Sequence, residues 1–86
     1  MTDQTTEITL DQLTTGDQAK VVRISGERRM RRRLLDMGLI TGETVAIKAV
    51  APLGDPLELI VKGYQLSLRK QDARQIIVEV SRATTS

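Results

Sequence analysis

The chain has 86 residues, 40% of them apolar, and a formal net charge of +2; that suits one small domain with a thin core and leaves little room for a deep cleft on a separate scaffold. It contains no Cys and no His, which excludes disulfides, thiolate chemistry and the usual transition-metal ligands, and fits a reducing cytoplasm. Tyr64 is the only aromatic residue, so the core must be aliphatic.

Both ends are polar and rich in Thr, and read as frayed. The expected organisation is a single domain over 8–81, with residues 1–7 and 82–86 as flexible tails. Thr9-Leu10-Asp11-Gln12-Leu13 predicts one helical turn, with Thr9 and Gln12 at capping-box spacing. Thr15-Gly16-Asp17 turns the chain into a strand over Gln18 to Ile24. Val21 and Val22 are both apolar there, so a bulge or burial on two sides is expected. Ser25-Gly26 ends that strand. A helix follows from Glu27 to Met37, with Met30, Leu34 and Met37 on one face. Gly38 is placed to end it in a left-handed conformation, with Leu39 following as an apolar contact for Leu34.

After Thr41-Gly42 the pattern turns to β. Val45, Ile47, Ala49 and Ala51 alternate with Thr44, Ala46, Lys48 and Val50. The loop Pro52-Leu53-Gly54-Asp55-Pro56 interrupts the run, because both prolines oppose continued pairing. Leu57, Leu59 and Val61 form the next alternating set. Lys62-Gly63 predicts a tight hairpin before Tyr64, Leu66 and Leu68. Lys70 to Arg74 reads as one helical turn, and Ile76, Val78 and Val80 as a closing strand. The expected fold is mainly β: five short strands, one helix after the first and a helical turn before the last, arranged as a small barrel or sandwich. No run approaches a membrane span and no charged-then-apolar leader opens the chain, so a soluble, cytoplasmic protein is expected.

Three segments then carry a resemblance. Arg33-Leu34-Leu35-Asp36-Met37-Gly38-Leu39-Ile40-Thr41-Gly42 resembles the helix–Gly–turn–Gly signature of the FeoA family. Ala51-Pro52-Leu53-Gly54-Asp55-Pro56 is similar to that family's loop. Leu66-Ser67-Leu68-Arg69-Lys70, with Ala73 and Ile76, is similar to its closing segment. The likeness runs from about Leu10 to Val80. It implies an SH3-like barrel that serves bacterial ferrous iron uptake, binding the cytoplasmic side of FeoB, a membrane GTPase transporter, and modulating it. Similar domains form the C-terminal part of iron-dependent repressors of the diphtheria-toxin-repressor type. No DNA-binding helices or metal-ligand set precede the barrel pattern here, which favours the stand-alone reading.

Among candidate sites the basic run comes first: Arg28, Arg29, Arg31, Arg32 and Arg33 are five of the thirteen basic residues. On a helical wheel Arg28, Arg31 and Arg32 lie opposite the Met30–Leu34–Met37 stripe, and Arg29 and Arg33 flank it. A plain solvated face is one reading. Against it, Arg28–Arg32 and Arg29–Arg33 are like-charge pairs at i, i+4, which weaken a helix. Only Arg32–Asp36 has an evident helical partner. An acidic partner surface or the anionic cytoplasmic leaflet would use the cluster. A nucleic acid ranks lower, because no aromatic residues are interleaved for stacking. Leu35 falls among these arginines. Either a barrel loop covers it or it anchors a partner. The loop residues Pro52, Leu53, Gly54 and Asp55 form a stiff turn or a rigid contact.

No catalytic, cofactor or metal site is expected. The carboxylates make no compact ligand motif, no phosphate-binding glycine loop is present, and neither His nor Cys is available as base or nucleophile. One tyrosine cannot line a groove for proline-rich ligands. The partner implied by the resemblance is the FeoB-type transporter, with no small-molecule substrate. The alternative is a small nucleic-acid-binding or regulatory barrel.

Overall fold

The computed structural model of the chain describes residues 4–82, with side chains described from Thr6 to Val80. The strands are β1 (Gln4–Thr9), β2 (Gln18–Ile24), β3 (Thr44–Val50), β4 (Leu57–Val61), β5 (Tyr64–Leu68) and β6 (Ile76–Arg82). Helix α1 (Arg28–Asp36) lies between β2 and β3, and the single turn α2 (Lys70–Ala73) lies between β5 and β6. The strands form one antiparallel sheet in the order β1-β6-β2-β3-β4-β5. Buried side chains from β2 to β6 join Leu10, Leu13, Leu34, Leu39 and Ala73 in a single aliphatic core. A sheet this wide can enclose one core under such short helices only by curling on itself, which gives a small open barrel.

The five expected strands are β2 to β6, and the sheet has a sixth. β1 occupies residues read from the sequence as tail, and so corrects the boundary at residue 7. It pairs with β6 in register, Thr6 opposite Val80 and Ile8 opposite Val78. Its polar sequence hid it: an edge strand is held mainly by backbone hydrogen bonds, and its β-branched threonines favour extended backbone without marking a buried face. The expected tails at 1–3 and 83–86 lie outside the described residues.

Two bulges retune the strands. β2 shifts register against β6 between Val21 and Arg23. Strict alternation after Ala19 and Val21 would send Arg23 inward. The extra residue turns Ile24 inward instead, where it is buried. β3 shifts against β4 between Ile47 and Ala49. Val45 and Ile47 face the core as expected, but Ala49 is exposed and Val50 packs against the core in its place. β4 alternates without interruption, burying Leu57, Leu59 and Val61. The hairpin to β5 turns through Lys62 and Gly63, at φ 52° and 84°, the two positive angles of a type I′ turn.

Leu10–Gln12 forms a 3₁₀ turn, but not the expected capping box. Thr9 makes no cap bond to the backbone. Its hydroxyl donates to Asp11 Oδ1 and accepts from Gln12 Nε2, so the three side chains satisfy one another.

Candidate functional site

Helix α1 begins without the usual aids. Glu27 occupies the N-cap position with no side-chain cap bond, and no acidic residue lies in the first turn. Arg28 and Arg29 instead sit at the end where exposed N–H groups already concentrate positive charge. The helix is held by tertiary contacts. Leu34 is fully buried, and Met30 and Met37 pack half-buried against the core. Its C-terminus closes as a Schellman motif: Leu39 N–H donates to Leu34 O at 3.1 Å and Gly38 N–H to Leu35 O at 2.9 Å. Gly38 has φ +99°, and both Leu34 and Leu39 are fully buried.

All five arginines of α1 are exposed. Arg33 alone is held: its Nη2 donates to Asp72 Oδ2 at 2.7 Å. Arg28, Arg29, Arg31 and Arg32 make no ion pair among the described residues, and the expected Arg32–Asp36 pair does not form. An open groove of about 810 Å³ runs along the helix, with Met30 and the arginine stems supplying apolar walls and Glu27 and Asp36 at its ends. Leu35 is 41% exposed on the same helix. Complete cover by a barrel loop, one of the two alternatives from the sequence, is therefore not what the structure has.

The loop between β3 and β4 is largely exposed. Gly54 N–H donates to Ala51 O at 2.7 Å and Ala51 N–H to Pro56 O at 3.1 Å, closing it at its base. The Asp55–Pro56 peptide is cis. Leu53 at the tip is 92% exposed, and Pro52 is exposed beside it. Asp55 is exposed and tied to α2: its Oδ1 accepts from Lys70 N–H at 2.9 Å.

The basic helix and the loop therefore meet through a third element that the sequence did not single out. α2 receives Asp55 at Lys70 and Arg33 at Asp72, and the next residue, Arg74, lies 3.7 Å from Asp11 of the 3₁₀ turn. Gln75 O then accepts from Ser25 N–H at 2.7 Å, fixing the entry to α1. Asp72 is buried, and a carboxylate inside a small apolar core needs a cationic partner, but that burial is not legible in the sequence. Sequence reading also passed over Ile40 and Tyr64, 40% and 64% exposed. Among the described residues, no group of three or more acidic side chains is arranged to hold a metal ion.

The FeoA domain model matches residues 8–80. A fusion of Fe(2+) transport protein A with the Fe(2+) transporter FeoB from Porphyromonas gingivalis is 44% identical over 79 residues, which is 90% of this chain and 9% of that relative. The chain thus spans about a tenth of the length of that curated relative. The NMR structure of a FeoA-like protein from Clostridium acetobutylicum is 38% identical with a TM-score of 0.83, covering 100% of this chain and 96% of that one. The crystal structure of Stenotrophomonas maltophilia FeoA, described as a prokaryotic SH3 domain protein and complexed with zinc, is 28% identical with a TM-score of 0.74. It covers 88% of this chain and 99% of that one. The expected SH3-like, mainly β fold is borne out, and the chain belongs to the FeoA domain family.

Proposed function

We propose that this domain is an accessory protein of bacterial ferrous iron uptake, which binds the cytoplasmic side of a FeoB-type membrane GTPase transporter and modulates it. The observation that carries the reading is the relative in which a 44% identical domain and an Fe(2+) transporter FeoB are one polypeptide. Fusion holds two modules at high effective concentration, an arrangement that substitutes for affinity between separate chains. The domain acts by binding rather than by chemistry, and any GTP hydrolysis belongs to the partner. The contact surface comprises Arg28, Arg31, Arg32 and Leu35 on α1 and the loop Pro52, Leu53, Gly54 and Asp55, which is linked to α1 through α2. The exposed arginines, without an ion pair among the described residues, support this assignment, as does a loop tip with an almost fully exposed leucine.

The test is capture of detergent-solubilised FeoB-type transporter by the purified domain, with and without guanine nucleotide. The native domain is expected to retain the transporter, and the variant Arg28→Glu/Arg31→Glu/Arg32→Glu to lose it while staying folded. Retention by both moves the contact to the loop. No retention by the native domain defeats the reading.

A further inference from the structure

Among the described residues, three of the four large hydrophobic side chains that remain exposed are Leu35, Ile40 and Tyr64, and the fold places all three at one end. Val61 and Tyr64 are directly opposed across the β4–β5 hairpin, so their side chains share one face of the sheet. Gly38 lies over that face: a Cβ built on it would stand 3.8 Å from Val61 Cγ1. The turn that follows closes with Glu43 N–H donating to Ile40 O at 3.0 Å. Glu43 then reaches the hairpin, with Lys62 Nζ 3.8 Å from its Oε1. The C-terminal end of α1, the turn 40–43 and the hairpin 62–63 are therefore neighbours, with Leu35, Ile40 and Tyr64 exposed around them.

The patch is continuous with the basic face of α1. Leu35 follows Arg31 at i+4, Arg32 at i+3 and Arg28 at i+7, the spacings that stack side chains on one face of a helix. Moving along α1, the surface passes from unpaired guanidinium groups to an apolar end over about 10 Å. At that end Glu43 and Lys62 pair and are neutral as a unit, while the exposed Asp36 stands next to Leu35 in the chain. The unpaired cationic groups and the apolar side chains are thus separated along one axis, which gives the surface a direction.

We infer that this surface receives an acidic, amphipathic segment of a partner protein, with carboxylates at one end facing Arg28, Arg31 and Arg32 and an aliphatic anchor at the other seated on Leu35, Ile40 and Tyr64. Charge complementarity selects the occupant. Four arginines with no ion pair among the described residues call for carboxylates, and an apolar end beside them has no use for a purely ionic ligand. The guanidinium groups set on-rate and orientation, and the apolar end sets residence time. The inference rests on the accessory-protein reading and specifies the partner's chemistry at that contact.

The probe is a synthetic helical peptide with Glu at i, i+3 and i+4 and Leu at i+7, titrated into the isotopically labelled domain and followed by amide chemical shifts. A control peptide replaces the Leu by Ser. The Leu peptide is expected to move the amides of Leu35, Ile40 and Tyr64 and to bind at least tenfold more tightly than the control. Leu35→Ser/Ile40→Ser/Tyr64→Ser should lose that tenfold at low and at high salt. Arg28→Glu/Arg31→Glu should lose affinity mainly at low salt. Equal affinity of the two peptides, or no effect of the triple Ser change, overturns the inference. So does binding only to phosphatidylglycerol-containing vesicles, or concentration-dependent self-association that the triple Ser change abolishes. Because the peptide replaces the transporter, failure of transporter capture with success here would defeat the accessory reading and leave the surface standing.

Discussion

Arg33 Nη2 and Asp72 Oδ2, 2.7 Å apart, join the basic helix to α2 across an asymmetric boundary: the arginine side chain is 64% exposed and the aspartate 5%. The arginine keeps most of its hydration, and the carboxylate has exchanged water for protein. Breaking the pair therefore costs through the aspartate, which would be left buried without its charged partner. Arg33→Ala should lower stability by about 1–2 kcal/mol, a range reduced for screening of the exposed partner. Arg31→Ala, on the free face, should stay within about 0.5 kcal/mol. Thermal denaturation followed by circular dichroism separates them, because a domain of this size shifts its midpoint by roughly 4–8 °C per kcal/mol. Equal midpoints for the two variants would mean that the pair adds nothing.

Leu34 and Leu35 are chain neighbours with opposite fates. Leu34 is fully buried and Leu35 is 41% exposed. Leu34→Ala should cost about 2–5 kcal/mol, since it removes transfer free energy and leaves a cavity that a small core cannot fill. Leu35→Ala should cost less than about 0.5 kcal/mol. Urea unfolding curves with a common slope would check both. A large loss for Leu35→Ala would show that it serves the core rather than the surface.

Gly38 stands at φ +99°, and the nearest atom to an added Cβ would be Val61 Cγ1 at an ordinary 3.8 Å. The barrier to substitution is thus backbone conformation, not space. Gly38→Ala should destabilise by about 1–2 kcal/mol, and Gly38→Asn by less, because Asn tolerates the left-handed region. If the two variants are equally damaging, packing against β4 matters more than φ.

The same segment shows what a sequence can disclose. Leu34, Gly38 and Leu39 were legible because local chemistry fixes the Schellman motif, and the alternation of Leu57, Leu59 and Val61 was legible because one face of β4 is buried. The inward turn of Val50 in place of Ala49 was not, since a bulge is set by the neighbouring strand's register. Nor was β1, whose partner lies some seventy residues away in β6. At the site, the exposed arginines and Leu53 could be anticipated from composition and turn chemistry. The role of α2 as common anchor could not, because it depends on long-range contacts of Asp55, Arg33 and Asp11. Ile40 and Tyr64 look like ordinary core residues in sequence, and only the finished barrel shows that its end leaves them uncovered.

The arginines of α1 allow a sharper prediction than loss of binding. Arg28 is the first residue of the helix, where positive charge opposes the exposed N–H groups, and it stands one turn before Arg32. Arg28→Glu reverses both terms at once. A carboxylate at the N-terminal end is favourable by about 0.3–1 kcal/mol. Glu preceding Arg at i, i+4 is the better order of that ion pair, with a further contribution of about 0.2–0.5 kcal/mol. The variant should therefore unfold at a higher urea concentration than the native domain while capturing the transporter less well. Repeating the comparison in 0.5 M salt should shrink the gain in stability, since exposed charges are screened over a few ångströms there. A more stable domain that binds worse would show that the native arginine is kept against the helix's own preference. A lower midpoint for Arg28→Glu would instead mean that the guanidinium makes a stabilising contact within the domain, and the basic face would then belong to the fold rather than to a partner.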